Sequence, residues 1–108
     1  MRTLIAAALV AAAIPVPTGA AAPPNATVHI HDDAFVPATI TVPAGDRVTF
    51  VNDDDDAHTA TADDGSWDSE GLANRERWTH AFGTPGKLAY HCTVHPAMHG
   101  TIVVRSAR

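Results

Sequence analysis

The sequence predicts an all-β domain, a sandwich of short antiparallel strands. Three observations lead there. Apolar and polar residues alternate with a period of two in several short runs. Turn residues punctuate those runs at close intervals. No segment carries a sustained 3.6-residue period that would favour a helix.

The strands follow in order. Thr27 to Ile30 alternates polar Thr27 and His29 with apolar Val28 and Ile30. Ile40 and Val42 continue the habit. Pro43-Ala44-Gly45-Asp46 reads as a turn, with Pro presetting φ and Gly accepting a positive one. Arg47 to Asn52 alternates again, with Val48 and Phe50 on one face. Asp63 to Arg75 reads as a loop with room for a short helical turn. Trp78, His80 and Phe82 share a parity, and Gly83-Thr84-Pro85-Gly86 closes that segment. Leu88, Tyr90 and Cys92 share the next inward face, and Ile102 to Val104 forms a last strand. No internal repeat and no further domain boundary interrupts this series.

The chain has 108 residues, enough for one small domain and too few for a multidomain enzyme. Apolar residues make up 45% and charged residues 18%, the balance of a packed domain rather than a disordered one. A formal charge of −5 leaves no basic surface for a phosphate backbone, so nucleic acid is excluded as an expected partner. Residues 1–22 have the three-part layout of a secretory signal peptide. Arg2 supplies the positive start and Leu4 to Ile14 the apolar run. Small residues Ala20, Ala21 and Ala22 then precede Pro23. The run is shorter than the roughly 20 residues that span a bilayer. The expected mature domain is therefore 23–108, exported to the periplasm or another extracytoplasmic space, monomeric and without a membrane span.

A domain this small gains limited stability from apolar burial. Exported domains of this size often add disulfides, but this chain has a single Cys. It has seven His instead. A bound metal would supply part of the missing stabilisation.

The run Tyr90-His91-Cys92-Thr93-Val94-His95-Pro96-Ala97-Met98-His99-Gly100 carries the chemistry. Cys92, His95 and Met98 fall within seven residues. Cys92 ends a strand facing inward, Pro96 bends the chain, and the loop lets three side chains converge. Thiolate, imidazole and thioether form a soft set that favours copper. Zinc takes Cys and His but has little use for Met. The best fourth candidate is His58, beyond the strand ending at Asn52. Two His, one Cys and a weak axial Met make the blue-copper electron-transfer set.

On these residues the sequence resembles the cupredoxins, the type 1 blue copper proteins. The Cys-x-x-His-x-x-Met spacing is similar to that of amicyanins and shorter than the loops of plastocyanins or azurins. Asp33-Ala34-Phe35-Val36-Pro37 with Ile40-Thr41-Val42 resembles the family's first hairpin. Pro43 to Phe50, and Phe82 to Gly86 followed by Tyr90-His91-Cys92, resemble later parts. The likeness runs from Thr27 to Val104. It implies a Greek-key β-sandwich holding one type 1 copper ion through His58, Cys92, His95 and Met98. It also implies a carrier that shuttles single electrons between transient redox protein partners, such as a cytochrome or a dehydrogenase. His95 would be the electron port, with Pro96 and Ala97 on the docking face.

Two departures from the family pattern stand out. Val94 occupies a position where many relatives have Pro, so its N–H is expected to donate to the Cys92 sulfur. Thr59 follows His58 where relatives often carry Asn to tie the two ligand loops together, which puts that tie in question; the Thr59 hydroxyl has Thr93 as a local partner instead. The other histidines read more plainly. His29, His31 and His80 are strand residues, His91 faces outward and His99 lies near the rim. A second metal site built from His91 and His99 is the lesser reading of that pair. Asp53 to Asp56 reads as a solvated charge run, or as an acidic patch steering a basic partner. It lacks the ligand spacing of a Ca²⁺ loop. Competing functions are copper storage or delivery, and an enzyme. The enzyme is disfavoured because one short domain offers no evident second copper or substrate position.

Overall fold

The computed structural model describes residues 26–107. The leader expected at residues 1–22 lies outside them. Eight strands make up the domain. They are β1 (Ala26–His31), β2 (Ala34–Val36), β3 (Thr39–Pro43), β4 (Arg47–Asn52), β5 (Thr61–Ala62), β6 (Arg77–Ala81), β7 (Gly86–His91) and β8 (His99–Arg105). They form two four-stranded sheets, ordered β2-β1-β4-β6 and β3-β8-β7-β5.

The all-β expectation holds, and the strictly antiparallel one does not. β1 pairs with β4 in parallel, and β3 pairs with β8 in parallel. The chain changes sheet between β2 and β3 and again between β3 and β4. β4 therefore re-enters beside β1 in the same direction. Period-two alternation reports which face a residue takes but not which way its neighbour runs. The expected helical turn within 63–75 is also absent among the described residues. Two isolated bridges, His58 with Leu72 and Thr61 with Asp68, organise that stretch instead. No helix among the described residues is long and apolar enough to cross a membrane.

Alternation places the core as expected. Val28 and Ile30 of β1, Val48 and Phe50 of β4, Tyr90 of β7 and Ile102 of β8 are fully buried. Trp67 and Leu72, from the irregular stretch, fill the same core. Phe50 meets Tyr90 edge-on at 5.5 Å, and Trp67 meets Phe82 edge-on at 5.1 Å, geometries that suit the aromatic quadrupole. Tyr90 lies directly over Gly100 on the paired strand, where any Cβ would collide with its ring. Burial pushes the Tyr90 phenol well above its usual range. Gly45 takes a φ of 97° in the Pro43–Asp46 turn, the conformation its sequence called for.

The β1–β2 turn was not legible in the sequence. Asp32 and Asp33 both adopt positive φ, 53° and 59°. Asp is among the few non-glycine residues that tolerate this region, and two in succession give a tight hairpin turn matched to strand twist. This turn stands beside the residues after β4, and that adjacency shapes the site below.

Candidate metal centre

The site lies where the segment after β4 meets the loop between β7 and β8. His58 is held from both sides of its own backbone. Its N–H donates to the Leu72 carbonyl at 3.1 Å, and its carbonyl accepts from the Leu72 N–H at 2.8 Å. This isolated bridge pins a fully buried imidazole inside the sandwich. Cys92, also fully buried, donates its N–H to the Met98 carbonyl at 3.2 Å, which closes the base of the loop. The Met98 N–H donates to the His95 carbonyl at 2.8 Å, tightening the turn at Pro96 and Ala97.

Three donor atoms converge. The His58 Nδ1 lies 3.7 Å from the Cys92 Sγ and 3.2 Å from the His95 Nδ1. All three ligand atoms lie within 4.8 Å of one another. Met98 is buried in the same core cluster as Cys92, at the far end of the loop. The structure therefore gathers His58, Cys92 and His95, residues separated by up to 37 positions.

Hydrogen bonds define the protonation of this set. The His58 Nε2 faces the Asp54 Oδ2 at 3.0 Å and the Asp33 Oδ1 at 3.4 Å. Carboxylates accept, so the His58 proton sits on Nε2 and the Nδ1 lone pair points at the cluster. Asp54 is itself clasped by the strained turn: the N–H groups of Asp32 and Asp33 donate to its two oxygens at 2.8 and 3.0 Å. Partial burial raises the Asp54 pKa. The bonds from Asp33 and Asp32, with His58 beside it, outweigh that and hold the carboxyl below its ordinary value. The Cys92 sulfur accepts N–H bonds from Thr59 and His95, each at 3.4 Å. Two donors on one sulfur suit a thiolate.

The His58 Nδ1 lone pair, the Cys92 sulfur and the His95 Nδ1 face one another within 4.8 Å. One soft to borderline cation satisfies them together. Met98, buried in the same cluster as Cys92, adds a thioether that favours copper over zinc, and the set fits one type 1 copper ion.

Two sequence expectations change here. The N–H groups on the sulfur come from Thr59 and His95 rather than from Val94, which is 53% exposed. Asp53 to Asp56 is not a uniform solvated run. The Asp54 side chain is only 15% exposed and serves His58 directly. Its position four residues before a candidate ligand was the available signal, since ligand imidazoles commonly give their second N–H to a carboxylate. A tie between the ligand loops, which the Thr59 departure had put in question, is present: the Thr59 hydroxyl accepts the Thr93 N–H at 2.9 Å.

The sequence model of the Cupredoxin-like domain family matches residues 4–104. This chain belongs to the cupredoxin-like family. No curated protein sequence matches it. Among solved structures, the cupredoxin is similar to a copper-containing nitrite reductase from Thermus scotoductus, with 29% identity and a TM-score of 0.75. That likeness covers 86% of this chain but 25% of the reductase, so the chain spans about a quarter of that enzyme. It is similar to a purple cupredoxin from Nitrosopumilus maritimus at 26% identity and TM-score 0.67, over 73% of this chain and 98% of that one. An oxidised amicyanin variant matches at 25% identity and TM-score 0.71, over 83% and 86% of the two chains.

Proposed function

We propose that this cupredoxin is an exported type 1 blue copper protein that carries single electrons, with His58, Cys92, His95 and Met98 as the copper ligands. The mature domain is residues 23–108 after removal of a leader at 1–22. The observation that carries this reading is the convergence of the two imidazole Nδ1 atoms and the Cys92 Sγ on one point inside a rigid sandwich.

Copper supplies the one-electron Cu(II)/Cu(I) couple when bound. The chain does the rest. His58 is locked by its backbone bridge and by Asp54, so its lone pair has one direction. Cys92 offers a thiolate whose charge is partly drawn off by two N–H donors. Met98 offers a weak, buried thioether that helps set the potential. Fixed donors change little between oxidation states, which keeps reorganisation small.

His95 is the electron port. It is half-buried, while Val94, Pro96 and Ala97 around it are exposed and apolar. The carboxylates of Asp33 and Asp56 reach within 4.8 Å of its ring. An apolar contact with an acidic margin suits brief docking of a redox protein, a cytochrome or a dehydrogenase, through a cationic face. The domain acts as a monomeric carrier rather than as an enzyme.

The test is the visible spectrum of copper-loaded protein. An intense thiolate charge-transfer band is expected, bleached by one electron equivalent of reductant and restored by an oxidant through repeated cycles without loss of metal. Colourless protein overturns the ligand set. Blue protein that surrenders its copper on the first reduction overturns the carrier in favour of copper delivery.

A further inference from the structure

His91 and His99 are directly opposite each other on β7 and β8. They flank the ligand loop: His91 precedes Cys92, and His99 follows Met98. Cys92 and Met98 form the next pair along, joined by the bond from the Cys92 N–H to the Met98 carbonyl. Bonded and non-bonded pairs alternate in an antiparallel ladder, so His91 and His99 occupy a non-bonded pair, where facing side chains approach most closely. Tyr90, Cys92, Met98 and Gly100 on either side are buried, so both histidines stand on the outer face of the sheet. His99 is exposed, and His91 is half-buried.

A third group comes from the other side of β7. The Asp63 N–H donates to the Ala89 carbonyl at 2.9 Å, which fastens the end of β5 against β7. The Asp63 Oδ1 then accepts from the His91 Nδ1 at 2.6 Å. This carboxylate fixes the His91 proton on Nδ1 and leaves Nε2 as a lone pair. Such a carboxylate–imidazole pair is the arrangement that orients and strengthens a metal-bound histidine.

We propose that His91 and His99 form a second, surface metal site for one borderline divalent transition-metal ion, with Asp63 orienting His91 and water completing the coordination. Imidazole pairs suit Zn²⁺, Ni²⁺ and Cu²⁺, and not the hard cations Ca²⁺ or Mg²⁺. The site is separate from the copper donors: Cys92 and Met98, the neighbours of the two histidines, are buried on the opposite, inner side of the ladder. An ion shared by His91 and His99 clamps the two ends of the copper loop together, so its occupancy favours the closed loop over an opened one.

Calorimetric titration of the copper-loaded protein with Zn²⁺ tests this. One saturable equivalent is expected, accompanied by a rise in melting temperature. His91→Gln and His99→Gln are each expected to abolish saturable binding. Retention of the visible band in both variants confirms that fold and copper site are intact. Ca²⁺ is expected to give no saturable binding. The same titration on Cys92→Ala separates this site from the copper proposal, because the second equivalent survives there. A featureless titration, or binding that persists in the double variant, overturns the site. So does binding lost in His31→Gln, which would move it to the His31, Asp32 and Asp54 cluster.

Discussion

The segment carrying His58 and the loop carrying His95 deliver the same imidazole atom, Nδ1, to one point by opposite means. His58 is fully buried, bridged through its backbone to Leu72, and bonded through Nε2 to a carboxylate. His95 sits in a loop of exposed residues and is positioned chiefly by local bonds, its N–H to the Cys92 sulfur and its carbonyl to the Met98 N–H. The first side of the site is fixed by the interior of the sandwich, and the second by a short turn facing solvent. Under the proposed function, that difference puts tuning and retention on the His58 side and electron exchange on the His95 side.

The sharpest way to break the contrast is to remove each imidazole. His58→Gly leaves a buried void and strands the Asp54 carboxylate, costing about 2–4 kcal/mol of stability. Added imidazole is expected to restore neither the fold stability nor the visible band. His95→Gly opens a half-exposed position instead, costing less than about 1 kcal/mol, and millimolar imidazole is expected to bring the band back. Spectra and urea unfolding of the two variants check this; equal rescue of both would erase the distinction.

Asp54→Asn sharpens the comparison with a smaller effect. It retains the shape and an acceptor oxygen but removes the negative charge facing His58. Copper(II) affinity is expected to fall about 10- to 100-fold and the reduction potential to rise. Chelator competition and voltammetry read both quantities, and an unchanged potential would show that Asp54 only packs against the ring.

Val94→Pro is the smallest change. The thiolate draws its N–H bonds from Thr59 and His95, so deleting the Val94 N–H leaves both in place. Voltammetry is expected to give the wild-type potential. A fall would restore Val94 as a donor to sulfur.

Much of this was legible locally. The inward parity of Tyr90 and Cys92, the Gly45 turn and the spacing from Cys92 to Met98 are short-range features of the chain, and the structure keeps them. The pairing of Thr59 with Thr93 was a readable candidate, because each residue follows a candidate ligand, but that the pair ties the two loops was not. Asp54 was marked only by its place four residues before His58; in sequence it is one of four identical residues, and the Asp32–Asp33 turn singles it out by donating two N–H groups to its carboxylate.

By itself the sequence determined the strand faces, the soft donor set and its copper preference, because side-chain alternation and ligand chemistry depend on neighbours a few residues apart. Only the tertiary structure decided the parallel pairings of β1 with β4 and β3 with β8, the donors on the Cys92 sulfur, and the partner of His58. Each of these depends on where distant segments cross. Crossing is set by how the two sheets close over a shared core, and no local pattern in the chain encodes it.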